Sequence, residues 1–547
     1  MINMGKLSNL LKLKPFIKKY YLIFWAGIVG MIFCSIIATP VPYIIGTIMD
    51  KVLIGEKSYK EFYIYIGVIA VLYILRYIIA IASQYMFVKI NNLVVNEMRY
   101  TVMEKVIALP MNYLSNTEKG YVQSRIAECS SIGNVFSPGV VGIFLSIFDA
   151  VLAIVTMFSI NYKLAIVILI LAPIFFFASK TSAEGFMKST KDMLESSAIL
   201  NGESFEIING IEDIKVLNGK RQHLSKFKSR LGEVIKSSIK QSKSMILFIE
   251  NITAINDFGS LLVLFISGIM ILKGNFTIGL YTSFSLYMAK IFSCTQGLAT
   301  IGTTLKPVCL SIERLYELLD MKDENSGRSE KLNGKIEKIK FDNVNFKYNE
   351  NSKEVLNSLS LHINKGEKVL IKGENGSGKS TIIKLLLGLY TPAKGQILYN
   401  DIDSAVIDIK SIRERISIVS QNIFLFKGTV LDNILYGQNE KNRKDVEKLI
   451  DQLKLQEYIN RFPQGLDTEI VQNTAGVSGG QAQVIAFIRA LLSQKDVIIL
   501  DEPISNVDAE TRDIILEILE KRDFNGILIV VSHFIEGMDF INRTIEI

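Results

Sequence analysis

The stretch that decides the fold is residues 373–380, Gly-Glu-Asn-Gly-Ser-Gly-Lys-Ser. It fits G-x-x-x-x-G-K-[ST], the pattern of a loop whose main-chain N–H groups, at a helix N-terminus, hold phosphate oxygens. The apolar run 369–371 precedes it and an amphipathic stretch follows, so we predict a strand over 368–372 and a helix over 378–389. In this setting a purely structural glycine turn is the weaker interpretation.

The pattern also assigns roles within the loop. Lys379 would neutralise charge on the β- and γ-phosphates of a nucleotide, and Ser380 would bind Mg²⁺. ATP and Mg²⁺ are therefore the expected ligands. The residues expected to contact the nucleotide are Gly373, Asn375, Gly376, Ser377, Gly378, Lys379, Ser380 and Thr381.

A second motif is the apolar run 497–500 followed by Asp501 and Glu502. Four consecutive apolar residues suit a buried parallel strand, and the carboxyl ends of such strands are where α/β folds place ligand chemistry. We expect Asp501 in the Mg²⁺ shell and Glu502 as the general base for an attacking water. The motif is weak evidence alone and gains weight beside the phosphate loop.

Composition indicates a membrane part joined to a soluble part, because 49% of the 547 residues are hydrophobic while 21% are charged. Six apolar segments reach the ~20 residues that a membrane helix needs. They cover about 20–49, 61–90, 133–159, 162–180, 246–273 and 277–308. Helices buried in a large soluble core are the alternative, and the nearly unbroken apolar run 164–178 disfavours it.

Charge and connection lengths then orient the chain. Lysines 12, 14, 18 and 19 precede the first segment and predict a cytoplasmic N-terminus, which also accounts for the net charge of +7 without a nucleic-acid partner. The long, charged, helix-patterned connections 91–132 and 181–245 then fall on the cytoplasmic side as helical extensions. The four scattered cysteines are predicted to be free, buried thiols.

The domain prediction follows from these patterns. Residues 1–320 form an all-α transmembrane domain of six helices with long cytoplasmic extensions, and the polar stretch 321–335 is a linker. From 336 to 547 short strands alternate with helices, which predicts an α/β P-loop ATPase domain.

Val477-Ser478-Gly479-Gly480-Gln481 resembles the LSGGQ signature of ATP-binding cassette proteins, with Val in place of Leu. It lies between the two motifs above, in that family's order. The resemblance implies that Gln421 is the Q-loop glutamine and a Mg²⁺ ligand with Ser380 and Asp501. It also implies three further roles: Tyr348 stacking on adenine, Asp508 in the D-loop and His533 as the switch histidine. Core packing is an equally weighted interpretation of Tyr348.

The membrane part resembles the family's six-helix half-transporter exporters, through 110–114, Gly120 and 124–125 in the first extension and 203–215 in the second. This implies a dimer in the cytoplasmic membrane, surrounded by lipid, in which two cassettes enclose two ATP molecules. Each phosphate loop would meet the signature residues of the other subunit, chiefly Ser478 and Gly480, and Glu502, His533 and Lys379 would carry out hydrolysis. A homodimer is favoured and a heterodimer is the alternative.

Three segments depart from the family pattern. Ala482-Gln483-Val484 follows the signature where exporters have Arg-Gln-Arg, residues 505–508 read Ser-Asn-Val-Asp, and Gln472-Asn473 replace Gly-Glu. No catalytic group is lost, so we expect a competent ATPase.

Ionisable residues inside apolar spans often mark transport pathways. Asp149, Glu250, Asp257 and Lys290 are such residues, with Arg76 as a further candidate. Their excess of acid would suit a cationic or peptide-like cargo, while pairing between helices, for example Asp257 with Lys290, is equally favoured.

The function expected is therefore ATP-driven export of a peptide, drug-like or lipid cargo. The alternatives are a lipid flippase of the same fold and an ATP-binding regulatory or sensor subunit of a heterodimer. The apolar spans exclude a soluble ATPase acting on nucleic acid.

Overall fold

A computed structural model gives the fold of the chain. It describes residues 9–117, 119–349, 352–374, 376–438, 440–471, 477–504, 507–521, 525–533 and 538–547. The chain forms two compact units. The first unit comprises Met1–Lys105 and Gly120–Asp320, and the second comprises Val106–Lys119 and Met321–Ile547.

The first unit is built from helices. They are α1 (Lys14–Lys18), α2 (Tyr21–Ala38), α3 (Pro40–Thr47), α4 (Tyr59–Ala108), α6 (Lys119–Gly133), α7 (Pro138–Ile160), α8 (Tyr162–Asn209), α9 (Ile211–Val216), α10 (Lys220–Leu272) and α11 (Ile278–Leu319), while α5 (Met111–Asn116) belongs to the second unit. A π-helix, Ile48–Glu56, follows α3, and a 3-10 turn, Asn134–Phe136, precedes α7.

Five helical stretches of the described chain are long and apolar enough to cross a membrane, by length and composition. They are Tyr21–Gly55, Tyr59–Ala108, Gly120–Ile160, Tyr162–Asn209 and Lys220–Leu272. The sixth predicted span, 277–308, is helical within α11 but is not among the five. It carries Lys290 and a series of hydroxyl side chains, which lower its apolar character.

Helices α4, α8 and α10 have 50, 48 and 53 residues and run far beyond their apolar segments, as predicted for the extensions. The extensions of α8 and α10 lie antiparallel, which a series of polar contacts shows. These contacts are Glu203–Lys226 at 2.8 Å, Asp192–Lys240 at 2.8 Å, Ser196–Ser237 at 3.0 Å and Ser182–Asn251 at 3.1 Å. Because most of these groups are exposed, the contacts fix register more than they add stability.

The first span is broken at two prolines. Helix α2 ends at Ala38 and α3 begins at Pro40. Proline has no N–H, so Pro42 leaves the carbonyl of Ala38, four residues earlier, without its helical donor. The ammonium of Lys290, on α11, donates to that carbonyl at 3.2 Å.

Two more side chains of α11 bind main-chain carbonyls at the break. The Tyr287 hydroxyl donates to the carbonyl of Thr39 at 2.6 Å, and the Ser283 hydroxyl donates to that of Pro42 at 2.9 Å. The spacing 283, 287, 290 places these residues on one face of α11. Lys290 thus replaces the donor that Pro42 removes, while Ser283 and Tyr287 add side-chain donors to neighbouring carbonyls of the first span.

Helices α3 and α11 touch through their backbones at Gly46 and Gly279. A Cβ added to Gly46 would lie 2.4 Å from the carbonyl oxygen of Gly279 and 2.0 Å from the Ser283 hydroxyl. Asp50 completes the contact, because its carboxylate accepts the main-chain N–H of Gly279 at 2.8 Å and the hydroxyl of Thr277. The carboxylate thus satisfies donors at the N-terminus of α11.

The strands of the second unit are β1 (Lys338–Phe346), β2 (Leu356–Asn364), β3 (Lys368–Lys372), β4 (Lys394–Tyr399), β5 (Ile402–Asp403), β6 (Ile416–Val419), β7 (Gly428–Thr429), β8 (Glu469–Ile470), β9 (Val497–Asp501), β10 (Ile527–Val531) and β11 (Arg543–Glu546). They form a parallel sheet in the order β11-β3-β10-β9-β6, an antiparallel sheet in the order β2-β1-β4-β5, and the pair β7-β8. The helices are α5 with α12 (Lys379–Leu386), α13 (Ile409–Arg413), α14 (Val430–Leu435), α15 (Arg443–Gln452), α16 (Gln456–Ile459), α17 (Gly479–Leu492) and α18 (Ala509–Lys521), and a 3-10 turn spans Gly465–Asp467.

Two hydrophobic cores cover the faces of the parallel sheet. Alternate residues of each strand point to opposite faces, so Leu370 and Leu500 belong to the core that contains α17, whereas Val369 and Ile499 belong to the core that contains α12. Burial on both faces explains why these strands are continuous apolar runs. The α/β fold predicted for this part of the chain is confirmed.

The predicted linker is bound to the second unit. Glu324 receives two hydrogen bonds from the guanidinium of Arg413, at 2.8 and 2.9 Å, and the main-chain N–H groups of Ser329 and Glu330 donate to the carbonyl of Val406. Leu332 is buried in the core. The segment is therefore part of the domain that follows it.

The close contact between Gly46 and Gly279 requires that residue 46 has no side chain, and this requirement can be tested. We expect Gly46→Ala to destabilise the protein by about 1–3 kcal/mol, because the added methyl must push α3 away from the α11 backbone. Thermal unfolding in detergent measures the effect. Gly67→Ala on α4 is the matched control, since a Cβ there meets nothing within 4 Å. Equal melting temperatures for the two variants would contradict the close contact.

Candidate nucleotide-binding and catalytic site

The predicted phosphate loop connects β3 to α12, the setting that its sequence pattern requires. Gly376 and Gly378 have φ angles of +86° and +101°, which only glycine adopts without strain. A Cβ on Gly378 would lie 2.6 Å from the Leu356 side chain, whereas one on Gly376 would meet nothing within 4 Å. Gly378 therefore serves packing, and the backbone at Gly376 is open to an approaching ligand.

Two polar groups in the loop fit a phosphate. The ammonium of Lys379 is buried and donates to the carbonyls of Gly373 and Glu374, both at 2.8 Å. The hydroxyl of Ser377 is buried and has no hydrogen-bond partner in the described part of the chain. Together with the N-terminus of α12, where Ser380 and Thr381 lie, these donors suit a phosphate.

The carboxyl ends of neighbouring strands bring together two predicted catalytic residues, Glu502 and His533, and the predicted Mg²⁺ ligand Gln421. Glu502 follows β9 and Gln421 follows β6, and the amide of Gln421 donates to the Glu502 carboxylate at 2.7 Å. His533 follows β10, and its Nε2 lies 3.5 Å from the other carboxylate oxygen of Glu502. The strand order β10-β9-β6 makes these ends adjacent. Glu502 is thus held from both sides.

The backbone at Glu502 is also constrained. Its φ of +50° is unusual for a residue with a side chain, and its N–H donates to the carbonyl of Val531 at 2.8 Å. Such conformations persist where surrounding structure fixes them and are frequent at functional sites.

Asp501 lies where a cation would be favourable. Burial, with the neighbouring Glu502 charge, raises the pKa of Asp501 to about 6, while Lys379 acts in the opposite direction. A divalent cation beside these carboxylates would relieve their repulsion. Asp501, with Ser380 and Gln421, therefore fits the donor set expected for Mg²⁺.

Tyr348 lies beside α12. Its hydroxyl is 2.9 Å from the Thr381 hydroxyl and accepts from the Lys384 ammonium at 3.3 Å. Its ring also packs edge-on against Phe346 and Tyr390, with centroids 5.0 and 5.4 Å apart. The structure brings Tyr348 to the phosphate loop, and it also shows the packing role weighed from the sequence.

The signature segment begins a helix. Ser478 caps α17, accepting from the main-chain N–H of Gln481 at 3.2 Å, and the Gln481 side chain accepts from the N–H of Ser478 at 3.0 Å. Gly479 is the first residue of α17, and a Cβ on Gly480 would lie 3.1 Å from the Asp508 carboxylate. The signature and the predicted D-loop aspartate are therefore in contact.

Asp508 itself caps the next helix. Its carboxylate accepts from the N–H and the hydroxyl of Thr511, at 2.8 and 3.1 Å. The Thr511 bonds, chiefly that from its N–H, lower the pKa of Asp508. An ionised, helix-capping carboxylate thus adjoins the signature.

The structure describes some of the residues that depart from the family pattern, while others, and one predicted nucleotide contact, lie outside the described residues. Ala482 and Val484 are buried in the core around α17, so these apolar residues fit where arginines were expected. Asn375 lies outside the described residues, as do Gln472, Asn473, Ser505 and Asn506.

Sequence reasoning missed the residues that join α5 to the nucleotide side of the second unit. The amide of Asn116 donates to the side chain of Asn349, next to Tyr348, at 2.8 Å, and the Tyr390 hydroxyl donates to that of Ser115 at 3.2 Å. Asn349 and Tyr390 belong to no recognisable motif. Within the second unit, α5 is therefore bonded beside the candidate adenine contact.

The charged residues of the apolar spans do not form one group. Glu250, Asp257 and Arg76 are exposed, whereas Asp149 and Lys290 are partly buried. Pairing of Asp257 with Lys290 is wrong, because the ammonium of Lys290 binds the carbonyl that Pro42 leaves free.

Comparisons with known proteins cover both units. Residues 24–296 match the model of the ABC transporter transmembrane region, and residues 356–505 match the ABC transporter model. The transport/processing ATP-binding protein ComA of Streptococcus pneumoniae serotype 4 is 28% identical over 90% of this chain and 68% of its own length.

Two further relatives align along nearly the whole chain. The ATP-dependent lipid A-core flippase of Albidiferax ferrireducens is 26% identical over 95% of this chain and 90% of its own length. The lactococcin-A transport/processing ATP-binding protein LcnC of Lactococcus lactis subsp. lactis is 25% identical over 99% of this chain and 75% of its own length. With both family models matched in order, the chain belongs to the ABC transporter family, as an ATP-hydrolysing membrane transporter that carries its transmembrane region and its ATP-binding domain in one polypeptide.

Proposed function

We propose that two copies of this chain form an exporter in the cytoplasmic membrane, with the second unit in the cytoplasm, and that ATP hydrolysis drives cargo outward. The observation that carries the proposal is the Gln421–Glu502–His533 cluster beside the phosphate loop, in a chain with membrane-length helices. The lysines before the first span support the orientation.

The proposal gives each of these residues a role in hydrolysis. Glu502, fixed by Gln421 and His533, accepts a proton from the attacking water. Lys379 leaves the carbonyls of its own loop for phosphate oxygens, and His533 approaches the terminal phosphate. Ser380, Gln421 and Asp501 would hold Mg²⁺, which would supply positive charge to the phosphates.

The signature segment supports the proposal of a dimer. The hydrogen bonds of Ser478 and Gln481 stay within the cap of α17, so the N-terminus of that helix is available to a phosphate bound by another subunit. The exposed aromatic side chains Phe424, Phe426 and Tyr436 form an apolar surface, and a partner subunit would cover it. A homodimer is the simplest assembly that supplies both a bound phosphate for the N-terminus of α17 and a cover for the apolar surface.

The cargo has three candidate classes: peptide, drug-like and lipid. One relative is named for lactococcin-A transport and another for flipping lipid A-core. The flippase aligns with 95% of this chain, which keeps lipid movement as the second candidate function.

Glu502→Gln tests the catalytic assignment. We expect the rate of Mg-ATP hydrolysis by the purified chain in lipid to fall by about 10²–10⁴-fold, because the general base is removed. Binding of a fluorescent ATP analogue should persist. Glu457→Gln, which changes an exposed carboxylate on α16, is the matched control and should keep the parental rate.

The rate of ATP hydrolysis by the unmodified chain tests whether the chain works as a homodimer. Hydrolysis by the chain alone supports a working homodimer, and hydrolysis that survives Glu502→Gln would remove Glu502 from the mechanism. A parent that binds ATP without hydrolysing it would replace the homodimer proposal with a partner subunit or a regulatory role.

Ser478→Ala separates capping from contact across the dimer. Losing the cap should cost about 1 kcal/mol of stability. Asn442→Ala removes a similar cap from α15 and should cost as much. Only Ser478→Ala should also slow ATP hydrolysis, by about tenfold or more, because only this side chain would face the phosphate of the partner site. Equal ATPase rates in the two variants would limit Ser478 to capping.

A further inference from the structure

A cavity of about 330 Å³ lies at the proline break of the first span. Its lining comes from α2, α3, α7 and α11, and includes Thr39, Tyr43, Leu152, Thr156 and Tyr287. Breaks in membrane helices are tolerated where the freed backbone groups are satisfied by protein or line a cavity. The main chain stays helical at Thr39, with φ -69° and ψ -40°, so the site offers the carbonyl of Ala38 and not an unwound segment.

A carboxylate lies one helical turn from the cavity. Asp149 is three residues before Leu152 and seven before Thr156, so it occupies the same face of α7. Helix α7 packs against α2 and α11, two of the helices that form the cavity. Its Oδ1 atom is buried and has no hydrogen-bond partner in the described chain.

Lys290 shows what the break can hold. Its ammonium donates to the carbonyl of Ala38 at 3.2 Å and lies 5.9 Å from the centroid of the Tyr287 ring. It makes no hydrogen bond to the Oδ1 atom of Asp149. A carbonyl freed by proline, an aromatic ring and a nearby carboxylate are the groups that bind an ammonium ion.

We infer that the break is a binding site for a cationic group of the transported molecule, and that Lys290 occupies this site until the cargo displaces it. The inference rests on the proposed export function and narrows its cargo to molecules that carry a positive charge beside an apolar part. The cationic group of the cargo would contact the Oδ1 atom of Asp149 and the carbonyl of Ala38, while the apolar part of the cargo enters the cavity.

An anionic group is a poor fit to the same site. It would draw Lys290 away from Ala38, leaving that carbonyl without a donor, and would lie close to the Asp149 carboxylate. Both changes are costly away from water. A cation satisfies both groups and releases Lys290.

The probes are n-octylammonium, octanoate and octanol, which share a chain and differ in the charge of the head. Binding to the full-length protein in detergent is measured from the shift in thermal unfolding, which needs no ATP hydrolysis. We expect octylammonium to bind the parent more tightly than the other two probes. Asp149→Asn should weaken octylammonium binding about tenfold or more.

The variants of Lys290 give an effect of opposite sign. Lys290→Met removes the competing ammonium and should tighten octylammonium binding about tenfold, if Lys290 fills the site about nine-tenths of the time. Lys290→Arg keeps an internal cation and should bind as the parent does, which covers the case that Lys290→Met fails to fold. Asp257→Asn, on the exposed side of α10, is the control and should change nothing.

Several results would overturn the inference. Octanoate binding as tightly as octylammonium, weaker octylammonium binding after Lys290→Met, or equal effects of Asp149→Asn and Asp257→Asn would each do so. Because binding is read without hydrolysis, an inactive ATPase with normal octylammonium binding would count against the proposed export function alone.

Discussion

Every main-chain N–H and C=O inside a bilayer must find a partner within the protein, and this constraint accounts for much of the first unit. Pro42 removes one donor from the first span, and Ser283, Tyr287 and Lys290 supply donors to the carbonyls around it. These side chains need a helix at close range, which the paired Gly46 and Gly279 allow. The polar character of α11, which sets it apart from the other spans, follows from the break in α2 and α3.

The second unit depends on a different constraint, the order of its parallel strands. Adjacent strands β6, β9 and β10 end side by side, so residues more than 100 positions apart in sequence converge on Glu502. The phosphate loop follows β3, next to β10, and lies at the same edge of the sheet. Sheet topology therefore brings the candidate catalytic residues together, and the loops supply their side chains.

The sequence predicted the features that depend on local pattern. The strand over 368–372, the apolar strand ending in Asp501 and the long extensions of α8 and α10 are encoded in neighbouring residues, and the structure has them. The four cysteines are buried thiols that form no disulfide, as expected. Contacts between residues far apart in the sequence could not be predicted. Lys290 was expected to meet an acid, yet its partner is a carbonyl made available by a proline about 250 residues earlier. Tyr390 and Asn349 bind α5 through contacts that no motif signals.

Each of the two candidate ligand sites contains a lysine ammonium that is bonded to main-chain carbonyls. The ammonium of Lys379 donates to the carbonyls of Gly373 and Glu374, and that of Lys290 donates to the carbonyl of Ala38. Each of these buried or partly buried ammonium groups is therefore bonded to main-chain carbonyls of the protein. An unpaired charge in such surroundings would be costly, and a carbonyl is a modest partner that an ionic ligand can replace. The direction of exchange differs between the sites. Lys379 can leave its carbonyls to meet an anion, whereas Lys290 can only yield its carbonyl to another cation, because Asp149 stands beside it. The same resting interaction thus favours phosphate at one site and a positively charged cargo at the other.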